Sequence, residues 1–302
     1  MNEKTIFALG FFDGVHLGHA ALLTACRELA DELGCGAGVV TFHNHPDALV
    51  QGTAPGLINT IADRDRLLRQ RFSMDRIVSL PFDRKLMNCS WQDFFHRLVE
   101  EFGAAGLVCG EDFRFGRQGA GDAEKLSTAC AAAGIPCRVI PQLRLEGIPI
   151  SSTHIRGLIE LGNMTQAVQF LGHPHMLTGQ VIHGHQLGRT IGIPTANLML
   201  PKEVVVPRFG VYACRCLVGG RSYDAVTNIG TRPTVAGIGI TVEPWILEYT
   251  GNLYGREITL EFYRFLRPEQ RFASLEALRE EIFRNARDAK EFLKTIPSCV
   301  TE

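Results

Sequence analysis

The sequence predicts an α/β chain in which a doubly wound parallel sheet is followed by an antiparallel β-barrel and a C-terminal helix. Up to about residue 172, short apolar runs alternate with amphipathic helical patterns, which is typical of a parallel sheet covered by helices. After Gly172-His173-Pro174 the sequence changes to alternating β-type runs separated by glycine and proline. The stretch from Ser274 to Lys294 has helical periodicity and opens on a serine suited to an N-cap.

The elements follow from these patterns in chain order. In the first half, the short apolar runs predict strands at 5–9, 37–42, 76–80, 106–109 and 136–140. Between and after them, helical periodicity predicts helices near 18–33, 60–72, 90–101, 122–133, 152–161 and 163–171. In the second half we expect strands near 177–183, 210–218, 222–228, 240–249 and 256–264. We therefore predict two domains, at 1–172 and 173–302.

Composition excludes several classes of protein. The 302 residues are 45% hydrophobic and 21% charged with a net charge of -1, which argues against a disordered chain and a general nucleic-acid binder. Nine cysteines occur without a C-x-x-C pair, so we expect reduced thiols, with Cys214 and Cys216 on one strand face in the core rather than in a zinc site. The N-terminus predicts neither a signal peptide nor a membrane span, so we expect a cytoplasmic protein. The sequence leaves the oligomeric state open.

A glycine-bearing motif follows the first predicted strand. It runs from Gly10 to His19 and includes Phe12, Asp13, His16 and Gly18. Such a turn into a helix brings backbone N–H groups and the positive end of the helix dipole against an anion. Two histidines three residues apart stand on one helix face and can share a phosphate. Histidines at this spacing also occur as capping or surface residues, but the position at a strand end favours a ligand site.

A second motif opens a helix near the end of the first half. Ser152, Thr153 and Arg156 offer two hydroxyls at a helix N-terminus and a guanidinium one turn further on, a set suited to phosphates. Alone, this pattern is more often an N-cap. Together with H-x-G-H it resembles the nucleotidyltransferase superfamily, whose members transfer a nucleotidyl group from a triphosphate. The resemblance implies that these residues and those of the first motif bind ATP, with His16, His19 and Arg156 catalytic.

Two further stretches resemble signatures of FMN adenylyltransferases. These are Thr41–Pro46 and Gly110–Gly116, the second with Gly121-Asp122 after it. The resemblance implies FMN binding by Asp112, Phe113 and Phe115, although aromatic residues are otherwise usually core residues. The chain departs from the family pattern at Asn44, where the family has proline, and at Phe11, where asparagine is frequent.

The second half contains a glycine-punctuated loop that leads to a polar cluster. The loop can wrap a phosphate chain with backbone N–H groups, and hydroxyl and amide oxygens such as those that follow it suit Mg²⁺. Composition alone favours the alternative that the glycines only form turns between barrel strands. The residues concerned are Gly179, Gly184, Gly188, Arg189, Thr195 and Asn197.

The P-T-A-N sequence at Pro194–Asn197 resembles the hallmark of riboflavin kinases, and further motifs follow in the family's order. The resemblance implies that the loop binds ATP, that Thr195 and Asn197 hold the metal, and that Arg267 and Phe272 bind flavin. Glu243 falls at the family's catalytic carboxylate and would act as general base. Departures from the pattern are Pro244-Trp245 beside Glu243, Glu248 for Asp, and Asn285 for Asp in the terminal helix.

The resemblance covers nearly the whole chain and implies a bifunctional enzyme. It would phosphorylate riboflavin with ATP to give FMN, adenylylate FMN with ATP to give FAD, and use Mg²⁺. Three alternatives remain open from the sequence: an adenylyltransferase whose barrel binds flavin without kinase activity, a flavin-sensing binding protein, and a nucleotidyltransferase for another acceptor such as pantetheine phosphate or a nicotinamide mononucleotide. The last would not explain the barrel, and a sensor would not need two phosphate motifs.

Overall fold

The computed structural model describes residues 4–183, 192–199, 201–234 and 237–296. The chain forms two compact units. The first comprises Met1–Pro55 and Ile61–Ser152, and the second comprises Gly56–Thr60 and Thr153–Glu302. The second unit therefore includes a short segment from the first half of the chain.

The first unit contains a five-stranded parallel sheet flanked by helices. The strands of the whole unit, inside and outside this sheet, are β1 (Thr5–Leu9), β2 (Gly36–Phe42), β3 (Arg76–Leu80), β4 (Ala104–Gly110), β5 (Arg114–Phe115), β6 (Gly121–Asp122), β7 (Cys137–Ile140), β8 (Arg144–Leu145) and β9 (Ile148–Pro149). Its helices are α1 (Leu17–Leu33), α2 (Asp47–Val50), α3 (Ile61–Phe72), α4 (Arg84–Met87), α5 (Trp91–His96) and α6 (Ala123–Ala132).

The order of the large sheet is β3-β2-β1-β4-β7, with every neighbouring pair parallel. The chain builds one side of the sheet from β1 outward and then returns to the other side of β1 at β4. Ligands of such sheets bind at the carboxyl ends of the strands where this reversal occurs. The doubly wound sheet predicted from the sequence is thus confirmed, and its switch point lies after β1, where the H-x-G-H motif begins.

Buried apolar residues on both faces explain why these segments form strands. All five residues of β1 are buried, and the two core clusters of this unit contain Ile6 and Ala8 in one and Phe7 and Leu9 in the other. A parallel sheet covered by helices on both faces needs this continuous apolar sequence. The helix predicted at 90–101 is observed as α5 followed by a π-helical turn, Arg97–Glu101. The short helices α2 and α4 were not predicted.

The second unit contains the barrel. Helices α7 (Ser152–Glu160), whose first residue belongs to the first unit, and α8 (Met164–Leu171) lead into strands β10 (His175–Ile182), β11 (Asn197–Met199), β12 (Gly210–Val218), β13 (Arg221–Thr234), β14 (Gly237–Ile246) and β15 (Glu257–Arg267), and helix α9 (Leu275–Lys294) follows. The strands close in the order β10-β11-β14-β13-β12-β15. The predicted antiparallel barrel and C-terminal helix are confirmed.

Several barrel strands differ in extent from the predictions. β11 was not predicted, because three residues carry too little alternation to be recognised as a strand. The strand predicted at 240–249 lies at Gly237–Ile246. The Leu247 N–H still donates to the Asp224 carbonyl (2.8 Å), and the chain leaves the strand at Glu248, which takes a positive φ of 61°. Cys214 and Cys216 lie fully buried on one face of β12.

The segment Gly56–Thr60 is part of the second unit through its backbone. The Leu57 N–H donates to the Glu203 carbonyl (2.7 Å), and the Val205 N–H donates back to the Leu57 carbonyl (2.8 Å). A Cβ at Gly56 would lie 3.0 Å from the Val205 backbone, so this approach requires glycine. No helix among the described residues has the length and apolar character needed to cross a membrane.

His175 makes the stability of the native state depend on pH. It is fully buried opposite Phe262, and neither ring nitrogen has a hydrogen-bond partner among the described residues. Burial lowers the pKa of His175 to about 3, and the nearby charge of His173 adds to this. The unfolded chain binds the proton below its own pKa of about 6.5, so stability is present above that value and is lost as pH falls toward the folded pKa.

We expect the unfolding free energy of the wild type to fall between pH 6.5 and 5.5 by about 1 kcal/mol more than that of His175→Leu. The leucine variant has no group to protonate at this position, so it supplies the reference slope. Urea unfolding monitored by fluorescence at each pH measures the difference. Parallel stability curves for the two proteins would contradict the assignment to His175.

Candidate active sites

The turn after β1 has an unusual backbone. Phe12, Gly14 and Val15 have positive φ angles of 59°, 80° and 41°. A branched side chain such as valine rarely adopts this region, and such strain concentrates at functional sites. Two carbonyls of the turn are held from elsewhere in the first unit. The Thr41 hydroxyl donates to the Phe11 carbonyl (3.0 Å), and the Ser152 hydroxyl donates to the Asp13 carbonyl (3.0 Å).

His16 and His19 stack on each other at the start of α1. Their ring centroids are 3.6 Å apart with an interplanar angle of 12°. His16 is the N-cap residue, and its Nδ1 accepts the His19 backbone N–H at 3.2 Å. Because Nδ1 accepts, a neutral His16 carries its proton on Nε2, which becomes the donor to a ligand. The sequence predicted a shared helix face for the pair but not the stacking.

His19 is held in its neutral form. Burial keeps its pKa well below the usual value, and the charges of His16 and Arg64 lower it further. Its Nδ1 is buried without a hydrogen-bond partner among the described residues. A buried polar atom left unpaired is costly, so this nitrogen is suited to a ligand contact.

Gly18 provides the space that the His16 ring needs. A Cβ at this position would lie 3.1 Å from Cε1 and 3.2 Å from Nδ1 of His16. The glycine of H-x-G-H therefore permits the capping geometry of His16, a reason that the sequence did not reveal.

Arg64 supports this turn, and we did not identify it from the sequence. The residue is 1% exposed, and its side chain donates from Nη1 to the carbonyls of Phe11 (3.2 Å) and Phe42 (2.8 Å). Its Nε and Nη2 pair with the Asp65 carboxylate at 3.1 and 3.0 Å. In the sequence it lies in a helix with six charged residues, Asp63–Arg66, Arg69 and Arg71, which is typical of a solvated face. No local signal distinguishes it from its neighbours.

A cavity of about 700 Å³ opens beside the end of β1 in the first unit. Leu9 and Gly10 line it together with Phe113 and Phe115, whose rings stack at 5.3 Å. Two of the three residues predicted to bind FMN thus share a cavity with the first motif. Asp112 is exposed, and its carboxylate lies over Gly110, where a Cβ would come within 2.9 Å of it.

The second phosphate motif lies at the start of α7. Ser152 uses its hydroxyl on the Asp13 carbonyl, and Thr153 is exposed in the first turn. Arg156 belongs to the second unit, where its Nε donates to the Gly56 carbonyl at 2.9 Å. The predicted ATP contacts of these residues stay predictions.

The barrel carries two cavities that share Thr195. One, of about 430 Å³, is lined by Thr195, Glu243, Arg267 and Phe272. The other, of about 350 Å³, is lined by Thr195 and by Tyr249 and Tyr254. Thr195 therefore lies where a group bound in one cavity would meet a group bound in the other. Glu243 pairs with Asn228 across β13 and β14, and Asn228 lines the same cavity as Glu243.

Arg267 is fixed by a polar cluster on α9. Its Nε donates to the Asn285 side-chain oxygen at 3.0 Å and lies 3.2 Å from a carboxylate oxygen of Glu281. Asn285 also donates to Glu281 at 3.1 Å. The carboxylate that the resemblance leads us to expect at position 285 is thus provided one helical turn earlier. We did not identify Glu281 from the sequence, although its spacing of four residues from Asn285 on one helix face is a usable signal.

Pro244 costs no ladder hydrogen bond to β13. Its carbonyl accepts the Ala196 N–H at 2.9 Å, on the side away from β13. The N–H and carbonyl of a strand residue point to the same side, so the missing proline N–H also faces away from β13. Trp245 packs edge-on against Phe283 of α9 at 5.4 Å. These departures therefore fit the barrel and leave Glu243 on the cavity.

The ATP contacts predicted for several other barrel residues stay predictions. Gly184, Gly188 and Arg189 lie outside the described residues. Gly179 lies within β10, where a Cβ would come within 2.6 Å of the Met199 carbonyl, so strand packing alone requires glycine there. Asn197 pairs with Ile182 in the barrel wall.

The oxygen atoms around Thr195 fit a Mg²⁺ ion. The Thr195 hydroxyl and the Glu243 carboxylate line one cavity. Mg²⁺ usually binds through one or two protein oxygens together with waters and substrate phosphates. The described residues contain no group of three or more His, Cys, Asp or Glu that could hold a metal, and a Mg²⁺ site of this kind does not need one.

Comparisons with known proteins match both halves. A family model described as FAD synthetase matches residues 1–154, and one described as riboflavin kinase matches residues 171–293. Proteins named bifunctional riboflavin kinase/FMN adenylyltransferase are similar over nearly the whole chain. The one from Pseudomonas fluorescens is 39% identical over 92% of this chain and 89% of its own, that from Escherichia coli K12 37% over 96% and 93%, and that from Bacillus subtilis 31% over 97% and 94%.

A solved structure is also similar throughout. The crystal structure described as a macrolide-efflux protein from Streptococcus pneumoniae superposes with a TM-score of 0.87 at 28% identity, covering 96% of this chain and 95% of that chain. The two-unit architecture is therefore shared with an experimentally determined structure.

We expect Glu281→Gln to lower the unfolding free energy by about 3 kcal/mol, because it removes the carboxylate from the largely buried Arg267. The matched control is Arg284→Ala, which removes the solvent-exposed partner of the same carboxylate and should cost less than about 1 kcal/mol. Guanidinium unfolding of both variants measures the difference. Equal losses would show that Arg267 does not depend on Glu281.

Proposed function

The chain belongs to the family of bifunctional riboflavin kinases/FMN adenylyltransferases, and we propose that it converts riboflavin to FMN and FMN to FAD with ATP in both reactions. The observation that carries this proposal is the similarity to bifunctional relatives over almost the whole chain, with one family model for each half. The same similarity favours the bifunctional enzyme over an adenylyltransferase with an inactive barrel.

We assign FAD synthesis to residues 1–172 and riboflavin phosphorylation to residues 173–302. Each activity then has cavities of its own: the 700 Å³ cavity beside β1 for FMN, and the two cavities that share Thr195 for riboflavin and ATP. The substrates are riboflavin, FMN and ATP, and we propose a cytoplasmic location. The eight described cysteines are all free thiols, which fits a reducing compartment.

In the adenylyltransferase reaction, a phosphate oxygen of FMN attacks the α-phosphorus of ATP and pyrophosphate leaves. FMN phosphate is already anionic at neutral pH, so the protein aligns the reactants and neutralises charge rather than removing a proton. His16 donates a hydrogen bond from Nε2 to a phosphate oxygen, since its Nδ1 accepts from His19. His19 is neutral because its pKa is lowered by burial, so it adds a hydrogen bond and no charge. The N-terminus of α1 supplies positive charge.

In the kinase reaction, the terminal ribityl hydroxyl of riboflavin attacks the γ-phosphorus of ATP and ADP leaves. Glu243 accepts the hydroxyl proton as the new oxygen–phosphorus bond forms. Arg267 and Phe272 line the flavin side of the cavity that holds Glu243, and Thr195 faces both this cavity and the second one. Thr195 and Asn197 would hold Mg²⁺, which neutralises charge on the phosphates when bound.

The direct test is to incubate the purified protein with riboflavin, ATP and Mg²⁺ and to separate the flavins by chromatography over time. We expect FMN to rise and then to give way to FAD. If riboflavin stayed unchanged while added FMN became FAD, the barrel would lack kinase activity. If neither flavin reacted, the proposed function would be wrong.

Two single substitutions separate the sites. We expect His16→Ala to reduce FAD formation by roughly a hundredfold or more while FMN formation from riboflavin continues, since it removes a phosphate donor from one unit. We expect Glu243→Ala to do the reverse, with a loss of roughly a hundredfold in riboflavin phosphorylation. Each variant is the control for the other in the chromatographic assay, with FMN formation started from riboflavin and FAD formation started from added FMN. Loss of both activities in either variant would contradict two separate sites.

A further inference from the structure

Asn44 binds the backbone of a residue far away in the sequence. Its side-chain Nδ2 donates to the Phe82 carbonyl at 3.0 Å, and its Oδ1 accepts the Phe82 N–H at 2.8 Å. One amide thus satisfies both backbone polar groups of Phe82. A side chain that makes both bonds fixes the position and the orientation of the peptide it binds.

The contact lies just beyond the end of the parallel pairing of β2 with β3. The last paired residues are Phe42 and Leu80, and the His43 N–H then donates to the Leu80 carbonyl at 3.1 Å. Pro81 has no N–H with which to continue the ladder. Beyond Pro81, the Asn44 side chain forms the hydrogen bonds to the Phe82 backbone in place of a neighbouring strand.

The residues that follow Phe82 form one wall of the 700 Å³ cavity. Phe82 lines it, and so do Leu86, Met87 and Asn88. Apart from the four residues of α4, this stretch has no regular secondary structure. At its other end the Cys89 carbonyl accepts the Arg117 N–H at 2.7 Å. The wall is therefore attached at both ends, at Phe82 by Asn44 and at Cys89 by the loop that carries Phe113 and Phe115.

The aromatic face at this point is open to a ligand. Phe82 contacts Phe42 edge-on, with ring centroids 5.2 Å apart, and both rings are half-buried. Half-buried aromatic rings on an apolar cavity suit a flat aromatic ligand, which gains stacking and apolar contact without displacing a packed core.

We propose that Asn44 is a positioning residue of the adenylyltransferase, which holds Phe82 against the isoalloxazine ring of FMN and thereby sets the affinity of this site for the flavin. The proposal rests on the proposed function of the first unit. The proline that the family pattern has at this position offers no side-chain donor or acceptor, so the attachment of Phe82 by a side-chain amide belongs to this chain.

The test measures adenylyl transfer to FMN in Asn44→Ala, Phe82→Ala and the double variant. We expect Asn44→Ala to raise KM for FMN by about tenfold with kcat within about twofold, because the loss of two hydrogen bonds frees a binding wall and leaves the reacting groups in place. In the double variant, the effect of Asn44→Ala should nearly vanish, since there is no ring left to position. Riboflavin phosphorylation should be unchanged in all three variants.

Asn163→Ala is the matched control, because it removes an exposed asparagine whose side chain donates to Gln166 in the second unit. It should leave KM for FMN unchanged. Thermal unfolding separates a general loss of structure from a local one. Should Asn44→Ala not fold, Asn44→Asp keeps the acceptor for the Phe82 N–H and sets an oxygen against the Phe82 carbonyl, so its KM for FMN should rise as well.

The outcomes distinguish this proposal from the proposed function. A wild type that makes no FAD from FMN would overturn both. If the wild type makes FAD and Asn44→Ala has an unchanged KM for FMN, the positioning role is wrong and the function stands. Additive effects of the two substitutions on KM would likewise overturn it, since Asn44 would then act independently of Phe82.

Discussion

The backbone turn from Gly10 to His16 is the constraint on which the first unit depends. It converts the central strand into α1 within a few residues, and it does so with positive φ angles at Phe12 and Val15. A turn of this kind persists only where its surroundings over-determine it. Buried donors from β2, α3 and the start of α7 hold its carbonyls, and the result is a capped helix N-terminus with two stacked imidazoles facing the switch point of the sheet.

The fold and the main motifs of both sites could be predicted because the sequence signals for them are local. Apolar runs of period two predict strands, and amphipathic runs of period 3.6 predict helices. The H-x-G-H motif directly follows the first predicted strand, so its position at a strand end could be predicted as well. Arg64 and Glu281 could not be predicted, since each is a charged residue in an amphipathic helix that becomes buried through tertiary packing. β11 escaped prediction for a related reason, because its three residues form a strand through pairing with β10 and β14.

The departures from the family pattern are where local reasoning was least informative. Proline lacks the N–H of a strand ladder, but the direction of the Pro244 carbonyl shows that the missing N–H faces away from β13. Asn285 suggested a lost carboxylate, but Glu281 lies next to it on the same helix face and contacts the same arginine. In both cases the physical requirement is met by the three-dimensional surroundings of the residue, which a sequence motif does not describe.

The pairing of Leu57 with the chain around Val204 has a consequence for the modularity of the protein. The Gly56–Thr60 segment belongs to the second unit but lies within the sequence of the first. The two units therefore do not correspond to two continuous halves of the chain. A chain severed after residue 152 would leave the C-terminal fragment without the partner of Val205 and without the carbonyl that Arg156 binds. Recombination between relatives that exchanges one half for another must therefore keep this five-residue segment matched to the half in which it folds.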